Sequence, residues 1–208
     1  LVMSGGHTHL FEVRGYNEFK ILGYTQDDAV GEAYDKVARC LGLQYPGGPK
    51  IDALAKEGNP HAIEFKRVYL EKGSLNFSFS GTKTGVINYL HKEDQAGRSV
   101  NKADVAASFQ EAVVEVIVNK SMAALERTGY SGLAVAGGVA CNSCLRKRLT
   151  EACKSRGKNI YIPSPIFCTD NGAMIACQGY YEYLDGRTAG SDLNAFASME
   201  LSAVNCRD

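Results

Sequence analysis

The sequence predicts a layered α/β fold in which at least two strands pair in parallel. Its second half alternates short apolar strands with helices, as chains do when helices cover a parallel sheet. Residues 133–136 are apolar throughout and end at a double glycine, which indicates a fully buried strand. The start of the chain has the same order, because the apolar residues 1–3 precede Ser4-Gly5-Gly6. We therefore read both segments as strands that enter glycine turns.

The first elements after this opening strand are predicted to be a hairpin and a helix. Apolar and polar residues alternate over 9–13 and over 19–24, which is typical of two antiparallel strands joined by a polar turn. Asp27 or Asp28 is expected to cap the helix that follows, and Gly42 is expected to end it.

The middle of the chain is predicted to hold a turn, a short helix and a strand. The turn covers residues 45–49, and Pro49 suits the first position of a helix that continues to Leu54. Residues 75–79 are expected to form a short strand, with another helix after Ser80-Gly81.

The second half is predicted to begin with the longest helix of the chain. Apolar residues recur at helical spacing over 103–127, and Gly129 is a suitable stop. After the buried strand we expect a basic helix over 142–156, a strand over 159–162 and a last helix over 173–184.

Composition is that of a globular protein and limits the classes of function. Of 208 residues, 45% are hydrophobic and 22% are charged. Lys+Arg and Asp+Glu number 23 each, so a nucleic-acid contact must come from a local patch or a partner. No apolar run approaches membrane-spanning length. The seven cysteines are expected to be reduced thiols of a cytoplasmic protein rather than a disulfide framework.

The two glycine turns are candidate phosphate-binding motifs. Paired glycines let backbone N–H groups approach a phosphate closely, and a following helix adds its positive end. Gly5-Gly6 and Gly137-Gly138 both have this form. Neither matches GxGxxG, and each is also compatible with a plain tight connection.

Other reactive side chains leave several roles open. Cys141 and Cys144 have CxxC spacing at a predicted helix start, where a thiolate would be stabilised, but nothing in the sequence completes a zinc site. His7 and His9 alternate on a strand and could share a metal, although a hydrogen bond within the turn is the simpler role for His7. From the residues alone, Asp170 would cap the last helix.

Taken together, five segments resemble one family, TsaD/Gcp/YgjD, the tRNA threonylcarbamoyladenosine transferases formerly described as O-sialoglycoprotein endopeptidases. The segments are VMSGGHTHL, DDAVGEAYDKVARCLGLQYPGGPKIDALA, FSFSGTKT, AVAGGVACN and FCTDNGAMIA. They follow the family's order and extend to about Cys177. On these motifs the chain is identified as a member of the family.

The resemblance implies an actin-like ATPase (ribonuclease H-like) fold, with two related lobes around a nucleotide cleft. The chain is expected to be the C-terminal portion of a longer enzyme, with the first lobe largely missing. Residues 1–163 would form the second lobe with its glycine-turn nucleotide site. Residues 164–208 would form a metal-binding loop, a helix that returns toward the first lobe and a loose tail.

The resemblance also implies ligand positions, although no catalytic residue is identified. The adenylate-binding positions fall on Val2, Met3, Ser4, Gly5, Gly6, Asp35, Gly48, Asp52, Gly137, Gly138 and Asn142. The metal position falls on Asp170, and iron or zinc is expected in the full-length enzyme. The family's two other ligands are histidines of an HxxxH motif, which is absent here, so the metal site is expected to be incomplete.

The implied activity is transfer of the threonylcarbamoyl group from threonylcarbamoyl-AMP to an adenosine in the tRNA anticodon loop. This chain alone is expected to be inactive. Expected partners are tRNA, the adenylate or ATP, a TsaB-like paralogue and a TsaE-like ATPase, in the cytoplasm and without a membrane. The alternatives are a metallopeptidase or a noncatalytic nucleotide-binding module. An apolar stripe on the last helix also predicts a homodimer.

Overall fold

The computed structural model describes residues 1–195 and confirms an α/β fold. The strands are β1 (Val2–Met3), β2 (Thr8–Gly15), β3 (Glu18–Tyr24), β4 (Gly132–Ala134) and β5 (Asn159–Tyr161). The α-helices are α1 (Val30–Cys40), α2 (Gly47–Ala55), α3 (Ser80–Gln95), α4 (Lys102–Thr128), α5 (Ser143–Ser155) and α6 (Gly172–Leu184). The end of the predicted loose tail, 196–208, lies outside the described residues.

The strands are arranged in the order β3-β2-β1-β4-β5. β2 and β3 pair in antiparallel fashion, as the hairpin pattern predicts, and β1 also pairs antiparallel with β2. β4 and β5 pair in parallel. A single parallel bridge between Val2 and Ala136 joins the two groups. The N–H of Met3 donates to the carbonyl of Ala136 at 2.9 Å. This junction places the ends of β1 and β4, and therefore both glycine turns, side by side.

Helix α4 forms the centre of the core. The side chain of Asn101 accepts a hydrogen bond from the N–H of Ala103 at its start, and Gly129, with φ of 75°, ends it. Buried residues occur on every side of the helix, which is typical of a helix enclosed by its neighbours. The predicted long helix and its stop are confirmed.

The predicted strand over 75–79 is wrong. Within this segment only Phe77 is paired, by an isolated parallel bridge to Thr25. Leu75, Phe77 and Phe79 are nevertheless buried. Every second residue of this extended segment is therefore buried, but the segment pairs with a neighbouring strand segment only through that one bridge.

The predicted cap of α1 is also wrong. Neither Asp27 nor Asp28 caps it. The N–H of Val30 instead donates to Oγ1 of Thr8, a residue of β2, at 2.9 Å. A buried hydroxyl from a distant strand replaces the local carboxylate, so sequence spacing alone could not identify the cap. Helix α2 likewise begins at Gly47, two residues before the expected Pro49.

Within residues 1–195, no helix combines the length and the apolar character needed to cross a membrane.

Candidate functional site

A cavity of about 480 Å³ lies between α1, α2 and the two glycine turns. This volume is within the usual range for small-molecule sites. Part of its lining comes from six of the predicted adenylate-binding positions, namely Gly5, Asp35, Gly48, Asp52, Gly138 and Asn142. The structure thus brings together residues that lie far apart in the sequence. Met3 is buried and Val2 is half-buried, and neither residue lines the cavity.

The first glycine turn is closed by hydrogen bonds of its own. Oγ of Ser4 accepts the N–H of Gly6 at 3.3 Å and that of His7 at 3.0 Å. The N–H of Ser4 in turn donates to the carbonyl of His7 at 2.8 Å. A phosphate that binds these N–H groups would therefore have to compete with the Ser4 hydroxyl.

This turn packs directly against the start of α1. The N–H of Gly31 donates to the carbonyl of Ser4 at 3.2 Å. A Cβ atom at position 31 would lie 2.6 Å from that carbonyl oxygen, closer than real side chains come. A glycine is therefore required at the point where helix and turn meet.

The second glycine turn contacts the first strand at its backbone. Gly137 has φ of 91°, and a Cβ atom there would lie 2.1 Å from the carbonyl oxygen of Met3. A 3-10 turn over Gly138–Cys141 follows, so the predicted direct entry into α5 is interrupted. The N–H of Ala140 donates to the carbonyl of Gly137 at 2.9 Å and holds this turn closed.

Asp35 and Asp52, two of the predicted adenylate-binding positions, each accept hydrogen bonds from the start of another helix. Oδ1 of Asp35 accepts the N–H of Gly47 at 2.7 Å, at the start of α2. Asp52 accepts the N–H and the hydroxyl of Ser143 at 3.1 and 3.0 Å, at the start of α5. Carboxylate oxygens have further lone pairs, so both side chains can still accept a hydrogen bond from a ligand hydroxyl.

Asn142 is the N-cap of α5. Its Oδ1 accepts the N–H of Leu145 at 2.9 Å, and its Nδ2 donates to Oε1 of Gln110 at 2.6 Å. Sequence reasoning missed Gln110. The available signal was a polar residue within the apolar stretch of α4, where Gln110 is buried.

The two cysteines at the second turn, Cys141 and Cys144, both have raised pKa values. Burial raises the pKa of the Cys144 thiol, and the carboxylate of Glu111 raises it further. Burial also raises the pKa of Cys141, with a smaller contribution from a hydrogen bond with Cys168. The expectation of a stabilised thiolate at this helix start is therefore wrong, because desolvation disfavours the charged form.

The loop that carries Asp170 precedes α6. The predicted capping role of Asp170 is wrong, since Oδ1 of Asn171 accepts the N–H of Met174 at 3.2 Å and caps the helix. Asp170 itself is exposed. Among residues 1–195 no three His, Cys, Asp or Glu side chains cluster as metal ligands would, either at Asp170 or around His7 and His9.

Two solved structures have a fold similar to that of this chain. HypF from T. kodakarensis superposes with a TM-score of 0.59 at 20% identity, over 77% of this chain and 20% of that chain. A full-length HypF in a phosphate- and nucleotide-bound form gives a TM-score of 0.54 at 18% identity, over 76% of this chain and 20% of that chain. This chain therefore shares an α/β fold with part of HypF.

Sequence comparison identifies the family. Residues 1–177 match the family described as TsaD, tRNA N6-adenosine threonylcarbamoyltransferase, and the chain belongs to that family. The similar protein of that name from Desulfitobacterium hafniense (strain Y51) is 57% identical over 97% of this chain. The one from Clostridioides difficile (strain 630) is 52% identical over 97%. The chain spans 59% and 60% of the lengths of these relatives.

Proposed function

We propose that this chain forms the adenylate-binding part of a tRNA N6-adenosine threonylcarbamoyltransferase. The observation that carries the proposal is the cavity itself. It brings together one glycine from each of three separate segments, Gly5, Gly48 and Gly138, with the carboxylates of Asp35 and Asp52. Close backbone approach suits a phosphate, and the carboxylates suit ribose hydroxyls.

In the proposed reaction, the exocyclic N6 amine of a tRNA adenosine attacks the carbonyl carbon of threonylcarbamoyl-AMP. A C–N bond forms, the bond from that carbon to the phosphate oxygen breaks, AMP leaves and the amine loses a proton. The residues of this chain would hold the AMP portion. Gly5 and Gly138 would approach the phosphate, while Asp35 and Asp52 would accept hydrogen bonds from the ribose. No catalytic base is assigned.

The family's metal, iron or zinc, would take Asp170 as one ligand. The described residues do not fit a complete metal site, because the exposed Asp170 has no neighbouring pair of metal-ligating side chains among residues 1–195. No step of the proposed reaction is therefore assigned to a metal.

We further propose that residues 1–163 correspond to the second lobe of an actin-like ATPase fold, with the returning helix and tail after them. The fold shared with a HypF that was solved with phosphate and nucleotide bound supports this assignment. The proposed partners are tRNA, threonylcarbamoyl-AMP, a TsaB-like paralogue and a TsaE-like ATPase, in the cytoplasm. No specific observation favours a metallopeptidase or a noncatalytic module.

Calorimetry with AMP tests the proposal. We expect weak binding, with a Kd of roughly 1 mM or about −4 kcal/mol, since the Ser4 hydroxyl already occupies two N–H groups of the first turn. Asn142→Ala should abolish it. Asn119→Ala is the matched control, because that exposed side chain contacts Tyr69 instead. Tight binding that is unchanged by Asn142→Ala would place the nucleotide elsewhere and contradict the proposal.

A further inference from the structure

Gln110 is a polar residue in an apolar part of the core. It lies in α4 beside Phe109, and its relative exposure is only 5%. Burying an amide costs free energy unless it is hydrogen-bonded. The side-chain oxygen of Gln110, Oε1, accepts a hydrogen bond from Nδ2 of Asn142 at 2.6 Å. The buried amide is therefore aimed at a residue of the candidate site.

The orientation of both amides follows from one backbone group. The N–H of Leu145 can only donate, so it requires the oxygen of the Asn142 amide, which lies 2.9 Å away. The nitrogen of that amide must then face Gln110, which in turn must present its oxygen. A reversed Asn142 would point its nitrogen at an N–H group and its oxygen at Oε1. The Gln110 acceptor therefore stabilises one of the two orientations of Asn142.

This arrangement leaves one donor of Asn142 available. A primary amide has two N–H groups, and Gln110 accepts one of them. Within residues 1–195, no hydrogen bond uses the other. Asn142 lines the cavity. Its second N–H is thus available to a hydrogen-bond acceptor of a molecule bound there.

We infer that Gln110 is a positioning residue, which orients the Asn142 amide so that its remaining N–H binds an acceptor atom of the nucleotide. The inference rests on the proposed function, since it needs a nucleotide in the cavity. Gln110 acts through Asn142 and needs no contact of its own with the ligand. Loss of one such hydrogen bond corresponds to about a tenfold change in the affinity for the nucleotide.

The test compares substitutions in the whole chain by calorimetry with AMP. Gln110→Met keeps the length of the side chain and removes the acceptor, and it should weaken AMP binding about tenfold. Gln110→Glu restores an acceptor oxygen and should bind within about twofold of the unsubstituted chain. Ser108→Ala is the matched control in the same helix, because its hydroxyl donates to the carbonyl of Asn59. It should lower the melting temperature without changing the Kd.

A second measurement needs no substitution. In an NMR spectrum that resolves side-chain amides, AMP should change the chemical shifts of the Asn142 Nδ2 protons of the unsubstituted chain. An Asn142 amide that does not respond to saturating AMP, or a Gln110→Met chain that binds AMP normally, would overturn the inference and leave the proposed function standing. Failure of the unsubstituted chain to bind AMP at all would overturn the proposed function instead.

Discussion

Gly137 shows how a single residue can decide whether two distant segments fit together. Its φ of 91° is unfavourable for any residue with a Cβ atom, and Met3 lies directly against it. The next residue, Gly138, is different, because a Cβ atom there would meet only Cγ2 of Thr169, at 3.8 Å. Backbone conformation and packing therefore require glycine at position 137 but not at position 138.

We therefore predict that Gly137→Ala destabilises the chain and Gly138→Ala does not. The backbone conformation alone should cost about 1–3 kcal/mol, and displacement of β1 by the new methyl group should add to it. Urea unfolding of both variants, followed by circular dichroism, measures the difference. Equal midpoints would show that β1 and the second turn are not packed as described.

Asp35 and Asp52 combine a predicted role in ligand binding with an observed role in packing. The family motif identified Asp35 and Asp52 as ligand positions, and the structure places both at the cavity. What the motif did not reveal is that each also accepts hydrogen bonds from the first residues of another helix. Whether they bind ribose as well stays a prediction.

At the scale of elements, the start of α3 depends on a carboxylate from the segment before α1. Burial would raise the pKa of Asp27, but hydrogen bonds from Ser78, Phe79 and Ser80 outweigh it and hold the pKa below its usual value of 3.8. Asp27 thus connects the start of α3 to the segment that leads into α1, beside the pair formed by Asp28 and Lys83.

This connection predicts a dependence of stability on pH. Because the pKa of Asp27 is lower in the folded state, its ionised form contributes stability in full above about pH 4, and the contribution is lost as the pH falls further. Asp27→Asn should lower the free energy of unfolding by about 1 kcal/mol at pH 7. The difference from the unsubstituted chain should shrink below pH 3.8, the usual pKa of the group.

Denaturant unfolding between pH 3 and pH 7 provides the measurement. Asp94→Asn is the matched control, since it makes the same charge change at an exposed position of α3, the helix whose start Asp27 binds. A difference between Asp27→Asn and the unsubstituted chain that stays constant over this range would contradict the assigned role.

At the scale of the whole molecule, α6 is the least covered helix among the described residues. None of its residues is buried. It touches the β2–β3 turn through the ring of Tyr181, which stacks on Tyr16 with centroids 3.4 Å apart, and through Gln178, which donates to Asn17. The predicted apolar stripe comprises Ala173, Ala176, Cys177 and Tyr180, with Tyr181 and Leu184 beside it. All of these residues are exposed except Tyr181, which is half-buried against Tyr16.

An exposed apolar helix face favours association with another surface. We predict that the chain self-associates at micromolar concentration, most simply as a twofold dimer that buries α6. Tyr180→Glu should shift it toward the monomer. Tyr161→Glu, at an exposed tyrosine of β5, is the matched control and should have no effect. Light scattering distinguishes these outcomes, and a monodisperse monomer that is unchanged by Tyr180→Glu would contradict the dimer.

Sequence alone predicted the six α-helices and the hairpin in their order, the two glycine turns and the family. These features are local, because helical periodicity, a double glycine or a motif is complete within a short stretch of chain. It also placed the stop of α4 at Gly129 and the parallel pairing of β4 with β5.

Tertiary structure decided which groups satisfy one another, since hydrogen-bond partners are chosen by proximity in space. Asp35 bonds a residue 12 positions away, Asn142 bonds one 32 away, and Asp52 bonds one 91 away. Alternation over 75–79 could not reveal that the segment would be buried without strand partners. For the same reason the sequence predicted Asn142 as a ligand position, but only the packing of α4 against α5 brings Gln110 within hydrogen-bond distance of it.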